Sequence, residues 1–261
     1  MINKGKAMGS LQDKVAIVSG ASAGIGRAAA LLFAREGARV VIGARREAEL
    51  NTLVAEVRAF GGEAEAVVGD ARDESYAEAL AQRAVARFGR LDVGFNNVGG
   101  MTARGPSAEF ALADWNAMLE LNLNSAFLGA KHQLPPMVAA GAGSIIFSSS
   151  YVGTAFGFPE VAAYSTSKAG LIGLTKALAS EFGPRGVRVN ALVPGSVDTP
   201  AMRAEFGSPE QQGFLASLHA LKRIADADEI ARAALFLASD ASSFVTGSSL
   251  VADGGAGVTR V

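Results

Sequence analysis

The sequence contains no cysteine, only two histidines (His132 and His219) and a single tryptophan (Trp115) in 261 residues. Without cysteine there is no disulfide, no thiolate nucleophile and no thiolate metal site, and two histidines are too few for a histidine-rich metal centre. Surplus charge is missing as well: 24 Lys and Arg stand against 25 Asp and Glu, a formal net charge of -1. That balance argues against a nucleic-acid phosphate reader, which carries a basic excess, and against an acidic disordered tail. Long apolar runs are also absent. The longest are strand-sized and broken by Gly or Ser, and the opening MINKGKAMGSLQDK has no apolar stretch of the signal-peptide kind. The expectation is a soluble, cytoplasmic protein that engages neither nucleic acid nor membrane.

What is present is a regular alternation. Short apolar runs at 14–18, 40–42, 64–68, 91–95, 144–149, 187–193 and 248–251 read as strands, the first of them buried on both faces. Helical stretches at 27–36, 47–60, 74–88, 114–139, 164–182 and 228–237 separate them, with Pro135-Pro136 expected to bend or restart the end of the fourth. Parallel strands joined by right-handed helical crossovers make one α/β unit, since helices must cover both faces of the sheet. The chain therefore reads as a single-domain Rossmann-type three-layer sandwich over residues 1–261, with a predominantly parallel, seven-stranded sheet and a flexible arm over about 1–12.

The turn Ser19-Gly20-Ala21-Ser22-Ala23-Gly24-Ile25-Gly26 lies between the first strand and the first helix. Glycines there let the backbone turn tightly and approach a pyrophosphate, whose charge meets free N–H groups at the helix start. Gly20, Ser22, Gly24, Ile25 and Gly26 are thus candidate dinucleotide contacts. At the end of the second strand an acidic residue would bind ribose hydroxyls and repel a 2′-phosphate; this chain has Gly43-Ala44-Arg45-Arg46 instead. Arg45 is a candidate 2′-phosphate partner, so NADP(H) is preferred, with NAD(H) as the alternative. Arg27 is a second candidate, which a solvated surface arginine explains nearly as well. Asp70 after the third strand, with Ala71, is placed for the adenine, although a helix cap would also explain it. Asn96-Asn97-Val98-Gly99-Gly100 ends the fourth strand, where parallel sheets bind ligands, and offers Asn97 and Gly99.

Tyr164 and Lys168 are spaced to share one helix face, so the ammonium is expected to favour phenolate. A surface contact would produce the same spacing. Together, however, Gly20 to Gly26, Asn96-Asn97-Val98-Gly99, Asn122-Leu123, Ser148-Ser149-Ser150, Tyr164 with Lys168, and Pro194-Gly195 resemble the short-chain dehydrogenase/reductase family across roughly residues 12–256.

The resemblance implies hydride transfer between a nicotinamide and a small carbonyl or alcohol substrate. Tyr164 would move the proton, Ser150 would hold the reacting oxygen, and Lys168 would bind the nicotinamide ribose and tune Tyr164. Asn122 would hold a distorted helix and complete a proton path. Pro194, Gly195, Val197 and Thr199 would pass along the carboxamide and phosphate side. The stretch over about 196–218 would form a substrate lid, with Met202, Phe206, Phe214 and Leu218 either covering an apolar pocket or simply packing. A homotetramer is implied, a dimer being the alternative, and no metal is required.

Three departures stand out. Ser19 replaces a usual Thr, Val98 a usual Ala, and the position usually held by the catalytic serine, 13 residues before the tyrosine, is Tyr151. Aligning Gly153 selects Ser150, with Ser149 as fallback. Trp115 is expected in core or interface, His132 in a structural or surface setting, and His219 mainly at the surface beside the lid. The rival readings are an NAD(H)-dependent alcohol dehydrogenase of the same fold and a catalytically inactive dinucleotide-binding regulatory or structural protein.

Overall fold

The computed structural model describes residues 9–259. Its elements run β1 (Val15–Ser19), α1 (Gly24–Arg35), β2 (Arg39–Ala44), α2 (Glu47–Ala59), β3 (Ala64–Val68), α3 (Glu74–Phe88), β4 (Val93–Asn96) and α4 (Leu112–Leu119). They continue with α5 (Ser125–Ala140), β5 (Gly143–Ser148), α6 (Ala162–Phe182), β6 (Val187–Pro194), β7 (Val197–Asp198), α7 (Pro200–Glu205), α8 (Pro209–Ser217), β8 (Ala225–Asp226), α9 (Ala227–Ala238) and β9 (Ser249–Ala252).

Seven strands form one sheet in the order β3-β2-β1-β4-β5-β6-β9, every neighbouring pair parallel. Alternate side chains of β1 serve opposite layers, as the two-residue strand period requires. Ala16 and Val18 pack with Phe33 of α1, Leu53 of α2 and Ala234 of α9, whereas Val15 and Ile17 pack with Leu80 of α3, Ala130 of α5 and Leu171 of α6. Both faces are covered, which explains why β1 reads as an unbroken apolar run. From β1 the chain winds outward through β2 and β3, then returns to place β4 on the other side of β1. The crevice opened by that reversal, at the carboxyl ends of β1 and β4, is where such sheets hold ligands.

Four local expectations change. The first helix starts at Gly24, inside the expected glycine turn, where glycine takes the positive φ that carries the chain from turn into helix. Leu11, in the expected flexible arm, is fully buried, and its N–H bonds the Glu36 carbonyl at 2.9 Å; residues 1–8 of that arm lie outside the described residues. The expected helix over 114–139 is instead α4, a five-residue π-helical turn at Glu120–Asn124, and α5. That last helix runs on through Pro135-Pro136 to Ala140. Among the described residues, no helix is long and apolar enough to cross a membrane.

Candidate active site

A single cleft of about 1020 Å³ runs along the carboxyl ends of the strands, from Gly20 and Arg45 at one end to Tyr164, Lys168 and the segment 196–218 at the other. At its first end, Gly20 turns with φ +71° and Gly24 with φ +55°, conformations that favour glycine. A Cβ at Gly26 would lie 2.3 Å from the Gly20 carbonyl oxygen, so only glycine lets α1 pack this closely under the turn. Gly26 itself lies beneath the cleft, while Gly20, Ser22, Gly24 and Ile25 line it. Ala23 precedes α1 without any side-chain cap, so the first-turn N–H groups of that helix are left for an anion. These features fit a dinucleotide pyrophosphate.

Beside the turn, Ala44 ends β2 where a ribose-binding acid would stand, and Arg45 and Arg46 both line the cleft. Arg45 is exposed, and among the described residues it forms no ion pair. Arg46, which sequence reasoning passed over, donates to Ser22 Oγ at 3.0 Å and pairs with Glu49 at 3.1 Å. Arg27 is removed from the phosphate candidates because it bonds Glu56 of α2. Asp70 and Ala71 line the same end. Asp70 is held bidentately by Arg72, at 3.0 and 2.7 Å, and that guanidinium lowers its carboxyl to about 2. It is a committed carboxylate with its remaining lone pairs turned outward.

The two amides that end β4 separate in role. Asn96 forms a buried reciprocal pair with Gln133 of α5, at 2.9 and 3.0 Å, and is structural. Asn97 lines the cleft; its N–H bonds Ser19 Oγ at 3.3 Å, so the hydroxyl retained at Ser19 ties β1 to β4. Gly99 follows, and a Cβ there would come within 2.6 Å of Lys168 Nζ and 2.7 Å of Asn122 Oδ1.

Asn122 is fully buried in the π-helical turn and does not itself line the cleft. Its Oδ1 accepts from Gly100 N and its Nδ2 donates to Gly100 O, both at 2.9 Å, with a further bond to Met118 O at 3.1 Å. The widened turn points this amide at the loop after β4, and the loop in turn faces Lys168.

Lys168 is buried on α6 and donates from Nζ to Ser148 O at 2.8 Å. Burial lowers its pKa to about 8. Tyr164, one turn earlier, is half-buried, with Nζ 5.8 Å from its ring centroid. Here the structure corrects the expected direction: burial raises the Tyr164 pKa above its ordinary value, and the hydrogen bond from Ser150 only partly opposes it. The phenol is held protonated at neutral pH.

The serines also sort themselves. Ser149 Oγ donates to the Lys168 carbonyl at 2.8 Å, which removes the fallback. Ser150 Oγ accepts from Val152 N at 3.1 Å and hydrogen-bonds the Tyr164 hydroxyl. Tyr151, at the usual serine position, also lines the cleft, but its hydroxyl is engaged by Ser196 Oγ at 3.2 Å and its ring packs against Phe156 and Phe158.

On the far wall, Pro194, Gly195, Val197 and Thr199 line the cleft. Thr199 caps α7 by accepting from Met202 N at 3.2 Å, and its methyl carbon abuts Gly24, so the segment begins on the glycine turn. Met202, Phe206 and Phe214 also line the cleft; Leu218 is buried outside it, so of these four it alone serves packing.

His219 is neither at the surface nor directed at the cleft. It is 2% exposed, its Nε2 accepts from Ser196 N at 3.0 Å, and Nδ1 lies 2.8 Å from Leu215 O. Because an amide N–H can only donate, the imidazole proton is on Nδ1. No sequence signal marks this role, since its partner is backbone 23 positions away. His132, half-buried beside Glu74 at 3.1 Å, matches its structural or surface setting.

Comparison with known proteins adds the following. A family model described as Enoyl-(Acyl carrier protein) reductase matches residues 20–257. The chain is 40% identical over 248 residues to the A-factor type gamma-butyrolactone 1'-reductase (1S-forming) of Streptomyces virginiae, covering 95% of this chain and 96% of that protein. A short-chain type dehydrogenase/reductase from Mycobacterium marinum superposes with a TM-score of 0.90 at 31% identity, covering 95% and 97% of the two chains. A Beutenbergia cavernae protein solved with NADP bound at low occupancy gives 0.89 at 38% identity, covering 95% and 98%.

Proposed function

Because the chain belongs to the short-chain dehydrogenase/reductase family, we propose that it is an NADP(H)-dependent enzyme that reduces a small carbonyl compound, or oxidises the corresponding secondary alcohol, with Tyr164 as its acid/base. That it is an oxidoreductase follows from the family. The observation that carries the finer reading is one continuous cleft with an uncapped helix start and Arg45 at one end and Ser150, Tyr164 and Lys168 at the other.

The nicotinamide, when bound, supplies or accepts the hydride. The protein's own part is proton handling and placement. In the reducing direction Tyr164 Oη donates its proton to the carbonyl oxygen, which burial has prepared by keeping the phenol neutral. Ser150 donates to the same oxygen and steadies the charge developing on it. Lys168 commits one hydrogen to Ser148 O and offers the others to ribose hydroxyls and to the Tyr164 side. Asn122 fixes the Gly99-Gly100 loop against which Lys168 lies.

Arg45 is the reader of the 2′-phosphate, with Arg46 beside it; Asp70 and Ala71 bound the adenine. Residues 196–218 close over the substrate as a lid on a single domain, presenting Met202, Phe206 and Phe214. The exposed Phe127 of α5 and Phe244 before β9 are apolar positions that assembly into a homotetramer, or a dimer, would cover, and the reading puts the enzyme in the cytoplasm.

The test is calorimetric titration with NADPH and NADH at matched salt and pH, followed by a carbonyl-reduction screen. NADPH preference with turnover supports the reading. NADH preference would shift it to an NAD(H)-dependent alcohol dehydrogenase, and binding without turnover to a dinucleotide-binding protein that has no catalysis.

A further inference from the structure

Six charged side chains line the cleft, and the cofactor, the catalytic pair and local ion pairs account for four of them. Arg46 pairs with Glu49, Asp70 is held by Arg72, Lys168 donates to Ser148 O, and Arg45 stands at the end proposed for the 2′-phosphate. The other two are Arg104 and Glu205. Both are exposed, and among the described residues neither side chain has a hydrogen-bond or ion-pair partner.

Both belong to the reacting end. β5, which leads into Ser150, lies between β4 and β6 in the sheet. Arg104 is in the loop that follows β4, and Gly105 N beside it donates to Glu160 O at 3.0 Å. That bond fastens the loop to the segment that enters α6, just ahead of Tyr164. Glu205 ends α7, beyond β6, and after burial its charge is among the influences that raise the Tyr164 phenol. The two charges thus reach the reacting centre from different strands. The lining around them is apolar, with Met101, Tyr151, Phe158, Met202, Phe206 and Phe214. An apolar substrate body would fill such walls, and a planar guanidinium without a partner beside them is a directional, charge-assisted reader of a carboxylate.

We propose that Arg104 selects the substrate: it binds a carboxylate carried on an otherwise apolar carbonyl compound, an oxo acid, while Glu205 repels that carboxylate from the side of α7. This rests on the carbonyl reading of the site and deepens it by naming a substrate class. With opposite charges on the two approaches, an oxo acid is favoured in one of the two directions in which it can lie across Ser150 and Tyr164.

The experiment measures NADPH-dependent kcat/KM of the full chain for para-acetylbenzoate and levulinate, each beside its methyl ester, within the carbonyl screen described above. The parent should prefer acid to ester. Arg104→Gln should lower the acid-to-ester ratio about 10- to 100-fold, as for one lost charge-assisted hydrogen bond, with NADPH affinity by calorimetry unchanged. Glu205→Gln should hold or raise the ratio, since it removes a repulsion. An unchanged ratio in Arg104→Gln overturns the proposal, and so does a loss of NADPH affinity, which would move Arg104 to the cofactor. Equal losses on acid and ester in both variants would make the two charges each other's partners across the cleft, again against it. A parent that reduces esters or neutral ketones as well as acids keeps the carbonyl reading and overturns this one. A parent that reduces no carbonyl at all sinks the reading on which it rests.

Discussion

The hydroxyl of Ser149 donates to the backbone carbonyl of Lys168 at 2.8 Å, tying the end of β5 to the helix that carries Tyr164 and Lys168. Its neighbour Ser150 makes no such tie to the helix backbone; its hydroxyl meets that of Tyr164 instead. Ser150→Ala should lower kcat by about 100- to 1000-fold, the usual loss for one donor to a developing oxyanion, with little change in melting. Ser149→Ala should instead cost about 1 kcal/mol of stability and a smaller share of kcat. Steady-state kinetics and thermal melting on both variants separate the roles; equal kcat losses would contradict the assignment.

Lys168 gives a pH prediction. Its folded value of about 8 lies below the ordinary 10.5, so the folded state sheds this proton before the unfolded state does. Below pH 8 the buried charge opposes folding by up to about 3 kcal/mol, and the penalty disappears as pH rises from 8 toward 10.5. Lys168→Met should therefore match or exceed the parent in melting temperature at pH 7 while losing nearly all turnover. In the parent, kcat/KM for carbonyl reduction should fall on the alkaline side with an apparent pKa near 8.

Arg45→Ala should weaken NADPH about 10- to 100-fold, the range for a charge-assisted hydrogen bond in a partly solvated site, and leave NADH nearly unchanged. Isothermal titration with both cofactors checks this. Equal losses would place the 2′-phosphate elsewhere, with Arg46 the next candidate.

Gly99→Ala places a methyl group 2.6 Å from Lys168 Nζ and 2.7 Å from Asn122 Oδ1. Gly99 is exposed to the cleft, so the expected damage is to catalysis: a loss of at least ~10-fold in kcat as the ammonium is displaced, with a modest change in melting. Gly100→Ala, where the added carbon meets nothing within 4 Å, is the control and should leave kcat nearly intact.

Much of the framework was legible from pattern. Buried runs such as 14–18 and 187–193 announced strands because both sheet faces are covered, and the glycines of 20–26 announced a close backbone approach. Other features depend on contacts that a linear pattern does not display. The π-helical turn at Asn122 differs from an α-helix by one residue in hydrogen-bond spacing, too little to disturb the apolar periodicity around it. The direction of the Tyr164 shift differs from the expectation because sequence shows the neighbouring lysine but not the burial that raises the phenol. Arg27 looked available until α2 brought Glu56 to it.

The imidazole of His219 clasps Ser196 N on one side and Leu215 O on the other, so both ends of the segment between them are pinned at one buried ring. A stretch whose ends are fixed independently of its interior behaves as a cassette. Its middle can be rewritten or lengthened at a closure cost of only about 0.6 kcal/mol per doubling, while Val197 and Thr199 stay in register with the glycine turn. On the proposed reading of this segment as a substrate lid, exchange of residues 200–214 changes what the cleft accepts while the anchors at Ser196 and Leu215 stay in place.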